Sequence, residues 1–492
     1  MSTKSSFPHP VYAQRVLRPN FEQAKTHLVP AMLAISRAHA LMLIRQGIVS
    51  REVGIRLLKG LAAVEKENWA ALTYDGRTED LFFSMQQMLG QHAGEEAAGN
   101  LHIARSRNDL NVAMCRWVVR DGLLQVLDKC TALRRRVLTL ARTHLNTIMP
   151  AYTHAQPAQP TTLAHYMSAV AAFLERDTAR FHTAYDRVNL SPLGAAALTT
   201  TGFPIDRTYA GELLGFDGPI ENSYDAVGGG DYQAEVAVTV EVAAASLSRF
   251  ITDLVFWATK EAAALRIGDE FLQVSSIMPQ KRNPVVLEHI RTQLGYLYAD
   301  ASGVLTMQHN TPLGDVNDID DPIFRPLFRL LDYATGIYEL LDAVLATAVW
   351  NVAHLADRAT KEFITATELA DTLVREAGLS FNQAHQLVSH LVQEALKAGV
   401  REIRAAHLDA AAKAVLHKPL TLSDSLIQDA LNPAHFIAVR TIPGGPAAGT
   451  MATLLDRQIA RVTQDELWHQ DRRKRLTLAQ DRLNQEIQLL VG

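Results

Sequence analysis

Cysteine is nearly absent from this chain: Cys115 and Cys130 stand alone among 492 residues. Two thiols make neither a disulfide scaffold nor a metal-ligand spacing. An excess of either charge is missing too. With 48 Lys and Arg against 52 Asp and Glu, the formal net charge is −4, so no strong pull toward nucleic acid or an acidic membrane surface is expected. No uninterrupted apolar run reaches membrane-spanning length. The stretch Met1-Ser2-Thr3-Lys4-Ser5-Ser6-Phe7-Pro8 has no apolar core of the kind a secretory signal needs. Internal repeats and low-complexity tracts are lacking as well. These absences point to a reducing cytoplasm, no nucleic-acid partner and no membrane.

What is present reads as a globular enzyme. Hydrophobic residues make up 48% and charged residues 20%, the usual balance for a soluble fold. The length exceeds a single ordinary core, so two or three domains are expected. Helical periodicity dominates. From Gln233 to Thr259, Val236, Val240, Ala243, Leu247, Ile251 and Leu254 recur at three- and four-residue steps. Charges are sparse there, so other helices must cover most faces. The alternation around Val236–Val240 suggests a strand, but length and flanking alanines favour helix. Similar long patterns run over 161–187, 284–309 and 323–351. Loop signals fall at 150–160, 190–208, 215–231 and 310–322. Shorter helices follow Thr365, and from Leu455 the tail reads as a charged amphipathic helix that caps the fold or contacts another subunit.

Three segments carry chemistry. The most distinctive is Ser275-Ser276-Ile277-Met278-Pro279-Gln280-Lys281-Arg282-Asn283-Pro284, leading into a helical pattern. Its order suits Asn283 as N-cap and Pro284 as the first helical residue. A helix N-terminus attracts anions and Lys281 adds a full charge, so the segment reads as a mobile loop bringing a serine to a carboxylate. Upstream, Leu101-His102-Ile103-Ala104-Arg105-Ser106-Arg107-Asn108-Asp109 opens another helix with two arginines. Cations are unfavourable there for the helix dipole, while guanidinium suits substrate carboxylates. Surface ion pairing competes evenly with that use. The third segment is Tyr152-Thr153-His154-Ala155-Gln156-Pro157, where a histidine beside a hydroxyl on a proline-fixed loop suits a general acid or an orienting group.

The serine segment resembles the signature loop of the fumarase/aspartase superfamily, with Val274 where that superfamily usually has glycine. Valine cannot easily take positive φ, which predicts a stiffer or displaced hinge. All three segments, in this order, resemble argininosuccinate lyases, and the similarity runs from about Phe21 to about Leu455. The resemblance implies an all-α, three-domain subunit: an N-terminal domain over 1–107, a central long-helix bundle over 108–364 and a C-terminal domain over 365–492. It implies a homotetramer whose sites draw on three subunits, small-molecule substrates, and no metal or organic cofactor. The reaction implied is reversible elimination of fumarate from an N-substituted aspartate. By the same carry-over Ser275 removes the Cβ proton. Lys281, Asn283, Thr153, Asn108 and loop amides hold the resulting aci-carboxylate, and His154 with Thr153 supports protonation of the leaving nitrogen. Ser36, Arg107, Ser276 and Met278 complete the substrate-binding set.

Departures from the argininosuccinate lyase pattern gather where that family reads the amine half of its substrate. Pro312, Asn317 and Asp320 stand where a tyrosine, a glutamine and a lysine are usual, and the last exchange reverses charge. Phe82 replaces a histidine, Gly228-Gly229-Gly230-Asp231 replaces Ser-Asp-Arg-Asp, and Leu110 replaces a glutamine. The expected substrate is therefore an altered N-substituted aspartate, such as an aminocarboxylic acid of the ethylenediamine-disuccinate (EDDS) kind. A genuine argininosuccinate lyase and a non-catalytic, crystallin-like structural protein are the alternatives.

Overall fold

The computed structural model describes residues 7–400 and 402–492. Its principal helices are α1 Val29–Arg45, α2 Arg51–Glu65, α3 Leu81–Ala93, α4 Arg107–Thr143, α5 Leu163–Val188, α6 Asp231–Trp257, α7 Val285–Gln308, α8 Asp321–Thr347, α9 Ala366–Ala377, α10 Phe381–Ala398, α11 Ala405–Leu416 and α12 Ala448–Val491. Helices α4 to α8 form the bundle, with α4 lying against α5 and α8, and α7 between α6 and α8. No single described helix is long and apolar enough to cross a membrane.

Helix α4 sets the scale. Ser106 caps it, its hydroxyl accepting from the Asn108 amide at 3.3 Å, and the Asp109 carboxylate accepts from the Ser106 amide at 3.0 Å. That reciprocal cap satisfies donors the first turn leaves free. At 1.5 Å per residue the helix is about 55 Å long. Arg134, with its side chain fully buried, pins it to α5 and α12 by 2.6 Å bonds to Glu175 and Asp465. Helix α6 resolves the ambiguous valines: Val236 and Val240 are buried while Val238 and Val242 are exposed, two faces of one helix.

A second apolar core gathers Leu369, Leu373, Leu387, Leu391, Leu408 and Ile427 from the C-terminal helices. The tail helix α12 stays out of it. Met451, Leu455, Val462 and Leu483 join the main core instead, laying α12 along α4 and α5. In packing, the segment beyond residue 365 is thus two pieces.

Two local expectations need correction. The stretch over 150–160 is no loop: β1 (Ile148–Thr153) pairs with β2 (Gln156–Thr162), Pro150 facing Pro160. A two-stranded ribbon is all edge, and edges tolerate proline. At the serine segment, α7 begins at Val285 with Pro284 itself at the N-cap, and no side chain caps it. Asn283 lies instead in a short ribbon, β3 (Gln273–Val274) with β4 (Arg282–Asn283), so strand pairing claims the residue that would have capped.

Candidate active site

The serine loop is therefore the tip of a hairpin that projects from the bundle. Val274 is extended and exposed in β3, facing Arg282. A β-branched residue is at ease in a strand, and none of residues 274–283 has positive φ, so this conformation makes no demand for glycine at 274. Ser275 Oγ accepts from the amides of Ile277 at 3.3 Å and Met278 at 3.0 Å. Ser276, Met278 and Lys281 are exposed along the tip, and Asn283 is half-buried at its base.

At the start of α4 the two arginines separate in use. Arg105 turns inward and donates to Ser36 Oγ at 3.2 Å, with Nε and Nη2 buried and without a partner. Burial and the Arg105 charge hold His39 down at about 3 and His102 at about 4. Ser36 is 0% exposed. It supports Arg105 from α1, deep in the core. Arg107 turns outward, pairing with Glu79 at 2.9 Å and Asp80 at 2.7 Å, its guanidinium over the Phe83 ring. Asn108 donates to the Ala197 carbonyl at 3.3 Å.

Thr153 and His154 sit at the exposed tip of the β1–β2 hairpin. His154 and Ala155 form its two-residue turn at φ 51° and 59°, left-handed conformations that cost non-glycine residues roughly 1 kcal/mol each. Tyr152 packs on Phe256 near the end of α6, ring centroids 5.8 Å apart, so the hairpin and the crossover bearing the serine loop leave the same end of the bundle. Arg107 and Asn108 are at the other end, a full α4 length away. One chain alone cannot bring the three segments together.

The amine-side residues do gather near Arg107. Asp320 accepts from Asn111 Nδ2 at 3.1 Å, and Asn111 lies one turn beyond Asn108. Burial, then the charge of Asp321, with Asp315 and Asp80, pushes the Asp320 carboxyl well above its usual range. Burial and Asp80 raise Asp321 likewise. Glycine lets the 312–320 loop close on this corner: a Cβ at Gly228 would meet the Gly314 nitrogen at 2.7 Å. Pro312 and Asn317 are exposed on that loop. Phe82 sits in the first turn of α3. Only 6% exposed, it packs inward against His102, and its neighbour Phe83 is the ring beneath Arg107. Sequence reading had no role for Asn111, Asp315 or Asp321, because nothing in their spacing shows that a loop two hundred residues downstream folds onto α4. Among the described residues no group of three His, Cys, Asp or Glu side chains is placed to hold a metal.

A family profile described as "Lyase" matches residues 52–296, and one described as "Argininosuccinate lyase C-terminal" matches 363–438. Argininosuccinate lyase 2 of Agrobacterium fabrum is 36% identical over 453 residues, covering 92% of this chain and 90% of that protein. The chain belongs to the argininosuccinate lyase-like branch of the fumarase/aspartase superfamily. Argininosuccinate lyase of Methanosarcina barkeri is 38% identical, at 91% and 90% coverage. An EDDS lyase variant with bound fumarate superposes with a TM-score of 0.88 at 31% identity, covering 98% of this chain and 96% of that one. Membership makes this lyase-family chain a carbon–nitrogen lyase. Class II fumarase of Schistosoma mansoni, at 16% identity and a TM-score of 0.67, shares the fold.

Proposed function

We propose that this lyase eliminates fumarate from an N-substituted aspartate, using Ser275 as base. The Cβ–H proton passes to the serine oxygen, the electron pair moves into the carboxylate as an aci form and then into the new C=C bond, and the C–N bond breaks as the nitrogen takes a proton from the His154 side. The observation that carries this reading is the placement of Ser275 Oγ on two loop amides. Hydrogen bonds to the charged form lower the cost of an alkoxide, and Lys281 on the same tip adds positive potential. Asn108, Thr153, Asn283 and loop amides are the donors for the developing carboxylate charge, each well-placed donor giving on the order of 3 kcal/mol. Arg107, Ser276 and Met278 complete the contacts to the fumarate half. In this reading the segments, at opposite ends of each chain, meet between subunits, and the enzyme is a homotetramer of the cytoplasm.

The amine half departs from argininosuccinate. Asp320, with Asp315 and Asp321, makes the corner beside Asn111 strongly acidic, which suits an aminocarboxylic acid presenting amine nitrogens, as an EDDS-type substrate would. The full-length likeness to two argininosuccinate lyases favours arginine biosynthesis as the second reading. A screen of amines with fumarate, following loss of fumarate absorbance, tests the first. Consumption with diamines or diamino acids and not with arginine is expected. Robust rescue of an arginine auxotroph lacking its own lyase would decide for the second. Absence of any fumarate chemistry in either direction would leave the crystallin-like alternative.

A further inference from the structure

Behind the β1–β2 hairpin lies a cavity of about 680 Å³, walled by that hairpin, the ends of α5 and α6, and the C-terminal segment. It contains neither Ser275 nor Arg107 and lies outside the proposed chemistry. Its volume falls within the range of small-ligand sites. Tyr152, Tyr166, Phe256 and Trp257 line it; Tyr152 meets Phe256 edge-on, and Tyr166 meets Trp257 edge-on at 4.7 Å.

Its polar groups differ in how far they are already satisfied. His165 has both ring nitrogens engaged, with the Gly444 carbonyl at 3.0 Å and the Thr161 hydroxyl at 2.8 Å. The carbonyl can only accept, so Nε2 donates to it. Arg440 is held by Glu368 at 2.9 Å. Asp253 is different: a carboxylate oxygen accepts from the Tyr166 hydroxyl, a neutral donor, and Arg249, one turn earlier on α6, is the cation whose charge reaches that hydroxyl. The wall thus offers one anion among aromatic faces, the arrangement that attracts a cation with an apolar body.

We propose that this cavity is a binding site for a small organic ammonium ion, its nitrogen on Asp253 and its body among Tyr152, Tyr166, Phe256 and Trp257. Anions are repelled by Asp253, and neutral polyols find most donors already spent. The site does not depend on which reaction the enzyme performs. Because Ala155 also lines it, an occupant touches the turn that holds His154.

Isothermal titration of the intact protein with 2-phenylethylammonium, 2-phenylethanol and phenylacetate decides the matter. The ammonium ion should saturate one site per chain, bind about tenfold more tightly than the alcohol, and leave the acid without measurable binding. Asp253→Asn keeps an acceptor for Tyr166 and should reduce the ammonium ion to the affinity of the alcohol. Phe256→Ala, at a half-exposed position, should weaken the ammonium ion by roughly tenfold and serves where the first variant fails to fold. Equal binding of all three probes, binding unchanged by either folded variant, or no heat from the ammonium ion would overturn the proposal.

Discussion

Ser275 and Asp320 are single side chains whose surroundings make opposite demands on a proton. Under the proposed mechanism Ser275→Ala keeps every contact to the ground-state substrate and removes the base. Turnover should fall about a thousandfold or more while KM stays within roughly threefold. Fumarate release near the wild-type rate would take Ser275 out of the role. Asp320 has a carboxyl raised by burial and by neighbouring acids. Below the ordinary carboxylate range, near pH 4, folded and unfolded chains are both protonated there. Above it the unfolded chain releases its proton first, so this group lowers stability as pH rises. Asp320→Asn should therefore raise the melting midpoint by roughly 2–4 °C near pH 8 and leave it almost unchanged near pH 4. A cationic amine seated on Asp320 would favour its ionised form, so amine binding should release protons, read as buffer-dependent heat, and the variant should lose that release. Stabilisation equal at both pH values would contradict the assigned cause.

Hairpins carry much of the proposed chemistry here, and they are the elements that sequence showed least clearly. Long helices were legible because each presents apolar residues at a helical period; α6 differs from its reading by two residues at each end. The β1–β2 ribbon was hidden. Its turn is His154-Ala155 rather than an Asn-Gly pair, and its prolines mimic loop punctuation. Site chemistry was legible as strings, whereas inward and outward choices at Ser36, Phe82 and Arg105 depend on packing that no string encodes. The hairpin turn gives a direct test. Ala155→Gly relieves a left-handed residue and should stabilise the fold by about 1 kcal/mol in urea titrations. If the strained turn holds His154 in place, kcat should fall several-fold as the turn loosens. Unchanged kcat would reduce the strain to an incidental feature.

For the whole molecule, the governing length is that of α4. Asn108 lies at its first turn, while His154 and the serine loop lie beyond its far end, about 55 Å away. If one site uses all three segments, they come from different chains in a symmetric assembly. Consider Asn108→Ala and Ser275→Ala, each inactive alone, co-expressed in equal amounts. Every chain lacks one of the two groups, so a site taking both from one chain is always dead. A site taking them from two chains is complete when each donor is the right one, a chance of one half each. Random assembly then restores about a quarter of wild-type activity, with KM near normal because the restored sites are intact. Mixed oligomers that assemble fully yet show no recovery would mean that Asn108 and Ser275 serve the same site from a single chain. The fold's geometry forbids that arrangement, so the serine-base mechanism would fall with it.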